Sequence, residues 1–367
     1  MRFPEFSGEW ETKLINDLAV VIGGGTPDTT IKSYWDGEIQ WFTPSEIGKN
    51  KYVDSSLRTI TEEGLNNSSA KLLPPNTILL SSRATIGECS LSLRECATNQ
   101  GFQSLVSKKC YVDFLYYLIQ TKKRDLIRKS CGSTFLEISA NEVRKIQVSV
   151  PTDVEQQKIA GLLSLIDERI ATQNKIIEDL KKLKSAIRKK MFSLLKDEYT
   201  ESFEINQLLD YEQPTAYIVA NDEYSTDTSL TPVLTANKGF ILGYTDEKFG
   251  IYQKGECIIF DDFTMDAKYV SFPFKVKSSA IKILTAKPNV NLRFMFEYLS
   301  YWELKSEEHK RHYISEIASL VIELPSKERQ SIIASLMTSL NSKLDIEAKT
   351  KIRYEEQKRY LLSQMFI

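Results

Sequence analysis

The chain has 367 residues, of which 42% are hydrophobic and 26% are charged, and its formal net charge is −1. These values are typical of a soluble protein with two to three globular domains. The near-neutral charge excludes a protein that coats DNA through overall positive charge, but it allows local basic faces. No apolar run approaches the roughly 20 residues of a membrane span, and the first residues, MRFPEFSGEW, do not have the pattern of a signal peptide.

The cysteines and histidines indicate a reducing compartment and no metal site. There are five cysteines, an odd number, and no two have CxxC spacing. We therefore expect reduced, mostly buried thiols in a cytoplasmic protein. The two histidines, His309 and His312, have HxxH spacing with no third ligand in sight, so no bound metal ion is expected.

Residues 1–150 have the pattern of an α+β domain. Short β-type runs alternate with turns rich in Gly, Pro, Asn and Asp. The runs are INDLAVVIGG, GEIQWFT, NTILLSS, ECSLSL, FQSLVS and a closing strand, KIQVSV, that leads into Pro151. Apolar residues three to four apart predict one helix in VDFLYYLIQTKKRDLIRKS. We interpret this segment as the first globular domain.

Residues 151–200 predict a long coiled-coil helix. From residue 159 to residue 194, apolar positions recur in alternating steps of four and three, and the residues between them are rich in Lys and Glu. A helix of this length needs a partner for its apolar stripe. The predicted seam positions are Ile159, Leu163, Ile166, Ile170, Ile177, Leu180, Ile187 and Met191.

Residues 201–324 predict a second globule of the same class. The β-type runs are YEQPTAYIV, TPVLTANKGFILGYT, GECIIFDDFT, YVSFPFKV and AIKILTA, and RFMFEYLSYWEL predicts a helix. DEYSTDTSLT is expected to be an exposed loop. SLVIELP then repeats the strand-to-proline exit of the first half.

Residues 325–367 repeat the long helix. PSKERQSIIASLMTSLNSKL matches PTDVEQQKIAGLLSLIDERI at an offset of 174 residues, without a gap to the end of the chain. The second seam is predicted at Ile333, Met337, Leu340, Leu344, Tyr354, Leu361 and Met365. We expect the two helices to pair antiparallel about a pseudo-two-fold axis; the alternative is that each packs on its own globule. Internal two-fold pseudo-symmetry suits a ligand that repeats along an axis, such as DNA.

No self-contained active site is predicted. The glycine-rich run GGGTP, Gly23 to Pro27, lacks the patterns of nucleotide-binding loops. Adjacent carboxylates at Asp261 and Asp262 point to opposite faces of a strand, and neither histidine has a plausible nucleophile by sequence.

Side chains that can bind bases or phosphates occur in both globules. In the first, the candidate DNA-binding residues are Thr26, Tyr34, Thr43, Ser45, Ser82, Arg83, Thr85, Asn99 and Gln100. In the second, they are Thr235, Asn237, Lys238, Tyr244, Thr264 and Lys268. Two basic runs, residues 122–129 and 181–190, could follow phosphates, form solvated helix faces or seat acidic partners.

These residues resemble the specificity subunit of type I restriction–modification enzymes. The resemblance rests on GGTP followed by Tyr34-Trp35, on the run from Ser82-Arg83-Ala84-Thr85-Ile86-Gly87 to Asn99-Gln100-Gly101, and on the strand-to-proline exit followed by Glu155-Gln156-Gln157. A globule with the strand-to-proline exit and the long helix occurs twice, although the second helix has Glu328-Arg329-Gln330 where the first has Glu155-Gln156-Gln157. The second globule lacks GGTP and the Ser-Arg-Ala-Thr-Ile-Gly run, so it resembles a different subtype of recognition domain.

The resemblance implies two target recognition domains joined by antiparallel helices, each domain binding one half of a split target in double-stranded DNA. The chain itself would be non-catalytic and would bind no cofactor. It would dock two adenine-methyltransferase (modification) subunits and restriction/translocase subunits, which carry S-adenosylmethionine, ATP and Mg²⁺. A helix of about 40 residues spans about 60 Å, or one to two DNA turns of about 34–36 Å, and would act as a ruler.

Three alternatives remain at this point. A specificity subunit of a related type IIB-like system, in which one fused protein methylates and cleaves DNA, would have the same sequence features. A stand-alone enzyme with a coiled-coil dimerisation element would modify or cleave DNA without partners. A structural scaffold would show no sequence preference in DNA binding at physiological salt.

Overall fold

The computed structural model describes residues 2–132, 136–195, 200–235, 239–302 and 313–366. The chain divides into two compact units. The first contains Met1–Ile176 and Ala348–Ile367, and the second contains Ile177–Glu347. Each unit therefore holds one globule and one part of each long helix. Within the described ranges, no helix combines the length and apolar character that a bilayer crossing requires.

The first globule contains ten strands and five short helices in its described part. The strands are Glu11–Leu14 (β1), Ala19–Gly23 (β2), Trp35–Phe42 (β3), Tyr52–Val53 (β4), Arg58–Ile60 (β5), Ile78–Leu80 (β6), Cys89–Ser92 (β7), Cys96–Thr98 (β8), Gln103–Ser107 (β9) and Gln147–Val150 (β10). The helices are Ile15–Leu18 (α1), Glu62–Asn66 (α2), Val112–Thr121 (α3), Lys123–Arg128 (α4) and Ala140–Arg144 (α5).

Three sheets build this globule. One has five strands in the order β2-β9-β6-β7-β4, another has the order β5-β3-β8, and β1 pairs with β10 alone. The β1–β10 pair is antiparallel, with Glu11 opposite Val150, so the two ends of the globule meet. Helix α3 buries its apolar residues, including Phe114 and Leu118, in the same core as the larger sheet.

Two predicted elements differ in the structure. The run that begins at Ile15 starts as a helical turn because Asp17 accepts a hydrogen bond from the Leu14 N–H at 2.9 Å, and Ile15 and Leu18, three residues apart, are both buried. The single helix predicted over residues 112–130 is interrupted at Lys122, which ends α3 and precedes α4.

The second globule repeats the plan with different sheets. Its strands are Glu201–Glu204 (β11), Leu209–Glu212 (β12), Thr231–Leu234 (β13), Ile241–Thr245 (β14), Cys257–Asp261 (β15), Ala267–Val270 (β16), Lys275–Val276 (β17), Ile281–Ala286 (β18) and Val321–Leu324 (β19). Its helices are Ile205–Leu208 (α7), Leu292–Tyr301 (α8) and a π-helical turn, Tyr313–Ile317. The sheet orders are β12-β18-β15-β16 and β14-β13-β17, and β11 pairs with β19.

Prolines explain where two predicted strands of this globule end. The run that begins at Tyr211 stays extended only to Glu212, because Pro214 starts a 3₁₀ turn, Pro214–Tyr217. Pro273 separates β16 from β17, since it cannot donate a ladder hydrogen bond. The predicted loop over residues 222–231 has no strand or helix before Thr231, and most of it is exposed.

The long helices are Asp153–Leu194 (α6) and Lys327–Met365 (α9). In the first unit, the start of α6 and the end of α9 share the core of the globule: Ile159, Leu163 and Ile166 lie in one cluster with Leu361 and Met365. In the second unit, Ile187 and Met191 contact the cluster that contains Ile333 and Met337. Each globule core is therefore shared by the start of one long helix and the end of the other, whereas the alternative expectation had each helix pack on its own globule.

Side-chain contacts give the helix direction in the first unit. Asp167 of α6 pairs with Lys358 of α9 at 2.7 Å, and the Arg169 guanidinium lies 5.9 Å from the ring centroid of Tyr354. As the residue number rises along α6, the number of the contacting residue in α9 falls, so the two segments are antiparallel in this unit.

The exposure of the predicted seam positions follows the heptad. Every one of them is buried or half-buried, whereas most residues between them are exposed. The repeat ends before Leu194, which is 37% exposed, because Phe192 and Leu195 are the buried residues there.

Candidate nucleic-acid interface

The glycine-rich loop of the first globule packs closely against the end of β8. A Cβ on Gly24 would lie 2.0 Å from the carbonyl oxygen of Asn99, so only glycine fits there. The Gly25 N–H donates to the Thr98 carbonyl oxygen at 2.8 Å. Next to it, the Thr26 hydroxyl donates to Oε1 of Gln100 at 2.5 Å. Two candidate residues that are distant in sequence therefore lie in contact.

A turn after β3 adds two further candidates at the same edge. The N–H and hydroxyl of Thr43 donate to Oε2 of Glu46 at 2.8 and 2.7 Å, and Ser45 lies 3.0 Å from the Thr43 hydroxyl. The Asn99 N–H donates to the carbonyl oxygen of Phe42 at 3.1 Å. The structure thus brings Thr26, Thr43, Ser45, Asn99 and Gln100 to neighbouring loops.

The segment that contains Ser82, Arg83 and Thr85 joins this edge through its backbone, since the Ser82 N–H donates to the Gly101 carbonyl oxygen at 2.8 Å. Thr85 is exposed. Arg83 pairs with Glu137 at 2.8 Å. Ser82 is fully buried, so its side chain does not reach the surface that a DNA contact needs. The cause is the sheet-like bridge between Ser81 and Phe102, which holds this stretch inside the globule.

Tyr34 lies apart from that edge, in the 3₁₀ turn Lys32–Tyr34, and packs on the cluster that contains Trp35 and Trp41. Both tryptophans are buried, and their rings meet edge-on at 5.1 Å. The sequence analysis missed the neighbour of this pair, Arg58, whose guanidinium carbon lies 3.5 Å from the ring centroid of Trp35. The contact joins β3 to β5, and no local pattern in the sequence signals it.

The candidates of the second globule lie on two separate sheets. Thr235 follows β13, and Tyr244 lies on β14, where its backbone pairs with Ser225. Thr264 and Lys268 lie at the β15–β16 hairpin. Asn237 and Lys238 lie outside the described residues. The four candidates that the structure describes, Thr235, Tyr244, Thr264 and Lys268, therefore do not form one contact network.

The adjacent carboxylates Asp261 and Asp262 have structural partners. Asp261 accepts hydrogen bonds from the Phe263 N–H at 2.9 Å and from the Thr264 hydroxyl at 2.7 Å, which shapes the β15–β16 turn. Asp262 is buried 3.3 Å from the equally buried Lys282. Across the described ranges, His, Cys, Asp and Glu side chains form no group of three or more that could hold a metal ion.

Much of the basic charge on the helices is already paired. In the second unit, Arg188 binds the buried Glu297 at 2.9 Å, and Lys184 lies 4.0 Å from it. Burial lowers the pKa of Lys184. In the first unit, the hydroxyl of Tyr117 donates to Asp167 at 2.7 Å beside Lys358, and burial raises the pKa of that tyrosine. These lysines and Arg188 stabilise the helix contacts in their own units.

The other basic run, residues 122–129, lies on α4 and its two flanking residues and is more exposed. Lys123 pairs with Glu88 at 2.5 Å, and Arg128 pairs with Asp125 at 2.8 Å. Exposed pairs of this kind contribute little to stability and exchange partners readily. These side chains therefore stay available to an anionic ligand.

Comparison with known proteins identifies the family. The model of the type I restriction modification DNA specificity domain matches residues 7–182 and 198–356. The specificity subunit of the type I restriction enzyme MjaIX from Methanocaldococcus jannaschii is 38% identical over 216 residues, which are 58% of this chain and 50% of that protein. The EcoR124I/EcoR124II specificity subunit from Escherichia coli is 39% identical over 178 residues, 43% of each chain.

The chain thus spans about half the length of these relatives or less. The crystal structure of the type I restriction–modification S subunit from M. genitalium aligns with a TM-score of 0.64 at 16% identity, covering 100% of this chain and 99% of that one. This likeness confirms the predicted fold class, an α+β protein with two globular domains and two long helices. The family model matches two consecutive segments that together cover most of the sequence, so the chain belongs to the type I restriction–modification DNA specificity family.

Proposed function

We propose that this chain is the sequence-specific DNA-recognition subunit of a type I restriction–modification complex. The observation that carries the proposal is the presence of two specificity domains in one polypeptide. The relatives named above are specificity subunits of type I restriction enzymes, which favours type I over a fused methylase–nuclease system. One domain would bind each half of a bipartite target.

The closing strand pairs support a division of the chain into four parts. The proposed domains are residues 1–150 and 201–324, with spacer helices over 151–200 and 325–367. In support, β10 ends at Val150 paired with β1, and β19 ends at Leu324 paired with β11. A proline follows each closing strand, and α6 and α9 begin two residues after it.

We propose that the first domain binds DNA through the edge formed by the glycine-rich loop, the Thr43 turn and the end of β8. Thr26, Thr85, Asn99 and Gln100 present hydroxyl and amide groups there, which suit both base edges and phosphates. The exposed lysines and arginines of residues 122–129 would follow the phosphate backbone. In the second domain, Thr235, Tyr244, Thr264 and Lys268 remain the proposed contacts.

The chain itself would be non-catalytic. We propose that its helices dock two adenine-methyltransferase subunits, and that restriction subunits complete a cytoplasmic complex. S-adenosylmethionine, ATP and Mg²⁺ would bind to those partners. Because an adenine inside the duplex is stacked, the methyltransferase must flip it out, and this chain would select the adenine by fixing the register of the complex on DNA.

A domain exchange tests the proposal. Residues 1–150 are replaced by the first domain of another specificity subunit, and methylated adenines are mapped across a genome that expresses the chimera with its modification partner. We expect one half-site to change and the other to persist. A change in both half-sites, or methylation without sequence preference in the parent protein, would contradict the proposal.

A second experiment tests the spacer. Whole heptads are removed from α6 together with the matching residues of α9. The gap between the half-sites should shorten while both half-site sequences persist, because the seam pattern repeats every seven residues. An unchanged gap would show that the helices do not measure the target.

A further inference from the structure

An arginine and a leucine lie next to each other on the surface of the first globule. Arg58 opens strand β5, and Leu57 precedes it. Leu57 is 86% exposed, more than any other large apolar side chain in the described ranges. A single exposed leucine is common on protein surfaces, but this one directly precedes an exposed arginine, so one ligand can contact both side chains.

The Arg58 guanidinium is held in place by aromatic rings. Its central carbon lies 3.5 Å from the ring centroid of the buried Trp35 and 5.9 Å from that of Trp41. Stacking of this kind restricts the side chain, and Arg58 is nevertheless exposed to solvent. In the part of the chain that the structure describes, no carboxylate lies within 4.0 Å of this guanidinium, whereas Arg83 and Arg94 each have an acidic partner.

The backbone that carries the two side chains is fixed by specific hydrogen bonds. The Leu57 N–H donates to Oε1 of Glu46 at 2.6 Å, and the same carboxylate accepts from Thr43 through its other oxygen. Ser56 is bound by Gln40, and Arg58 pairs with Trp41 across the sheet. Glu46 therefore joins Leu57 directly to the turn that holds Thr43 and Ser45, two of the proposed DNA contacts.

A fixed guanidinium with free donors matches the O6 and N7 acceptors of guanine, and an adjacent apolar group matches the edge or face of a neighbouring base. We propose that Leu57 and Arg58 form a base-specific contact in the first half-site, with Arg58 bound to a guanine in the major groove and Leu57 packed on the next base. This inference rests on the proposed function and extends it to two specificity-determining residues.

The test selects binding sites from DNA with a randomised first half-site, using the full chain in complex with its modification subunits. Arg58→Ala and Arg58→Lys should both lose the preference for guanine at one position, by roughly ten-fold or more, because lysine lacks the two-pronged donor geometry. Leu57→Ala should weaken the preference at the adjacent position. The second half-site and the other positions of the first half-site should not change, and the preserved positions of the first half-site show that the first domain is folded.

Arg94→Ala is the matched control, since it removes an exposed guanidinium already paired with Asp54, and it should leave every base preference intact. If Arg58→Lys selects the same bases as the parent protein and Arg58→Ala lowers affinity equally for all sequences, Arg58 contacts a phosphate and the inference is wrong. Unchanged preferences in both variants also overturn it. A parent complex without any preference would instead overturn the proposed function.

Discussion

Gln156 accepts a hydrogen bond from the backbone N–H of Tyr111 at 2.9 Å, and its amide nitrogen donates to the Pro151 carbonyl oxygen at 3.0 Å. Gln330 makes the same two bonds in the second half, to Asn291 and Pro325, both at 2.9 Å. Tyr111 and Asn291 immediately precede α3 and α8. In each half, one glutamine thus ties the first turn of the long helix to the main helix of its globule.

Gln156→Ala should destabilise the first unit by about 1–3 kcal/mol, because it leaves the Tyr111 N–H and the Pro151 carbonyl without their partner. The measurement is the urea midpoint of the full chain, together with amide exchange at Tyr111. Gln157→Ala is the control, since Gln157 is exposed. An equal, small effect of both variants would show that the bridge contributes no stability.

The second prediction is that alanine is tolerated at Gly23 but not at the adjacent Gly24. Gly24→Ala should displace the loop, because its Cβ would meet the Asn99 carbonyl at 2.0 Å and the Thr98 hydroxyl at 2.4 Å. The contact between Thr26 and Gln100 would then be lost. We expect binding to the first half-site to weaken about ten-fold or more, roughly the effect of one lost base contact.

Gly23→Ala is the matched control for that loop. Its Cβ would meet only Oε1 of Gln103, at 3.6 Å, which is an ordinary van der Waals distance. Neither glycine has a positive φ, so backbone strain does not distinguish them. Binding measured with the full complex on matched and mismatched first half-sites should therefore change for Gly24 alone, and equal losses at both positions would contradict the steric explanation.

The third prediction concerns the buried Glu297. In Arg188→Ala, the Glu297 carboxylate keeps only Lys184 at 4.0 Å and the Asn341 amide at 3.3 Å. We expect this variant to lose about 3–5 kcal/mol in the free energy of unfolding. The double variant Arg188→Met with Glu297→Leu should lose less, because it removes the buried carboxylate together with its main partner and leaves only Lys184, whose pKa burial lowers. Urea unfolding measures both variants.

Lys182→Ala is the control for that series. Lys182 pairs with Glu178 at 2.6 Å, but both side chains are largely exposed, so the urea midpoint should barely change. If the double variant were as unstable as Arg188→Ala, lost packing rather than an unpaired charge would be the cause.

The fourth prediction concerns the thiols. Burial raises the pKa of Cys89, Cys96 and Cys257 to about 12, from an ordinary value of 9.0. Because the thiolate is the reactive form, these cysteines should resist iodoacetamide at pH 8, while the exposed Cys131 reacts first. Mass spectrometry of digested protein measures the order, and early labelling of Cys257 would contradict it.

The same thiols imply a direction for alkaline stability. The folded pKa lies above the unfolded one, so the unfolded chain releases these protons first as pH rises. Their contribution to stability is present below about pH 9 and is lost towards pH 12. The urea midpoint should therefore fall across this range, and less steeply in Cys257→Ala.

Periodic and local features of this protein could be predicted from the amino-acid sequence. The heptad pattern of apolar residues predicts the two long helices, and matching residues such as Gln156 and Gln330 reveal the duplication. Most strands follow from apolar runs between turn residues. These properties depend on residues that are close in the sequence, so they can be predicted from the sequence alone.

Contacts between distant segments could be decided only by the tertiary structure. Ser82 is buried because its segment bridges to Phe102, Leu195 replaces Leu194 in the core, and Arg58 lies on Trp35 across the sheet. Each depends on how strands and helices pack, which sets the burial and the partners of a side chain and leaves no periodic trace in the sequence. The sequence by itself therefore determined two domains and two helices, and the packing decided which side chains reach the surface.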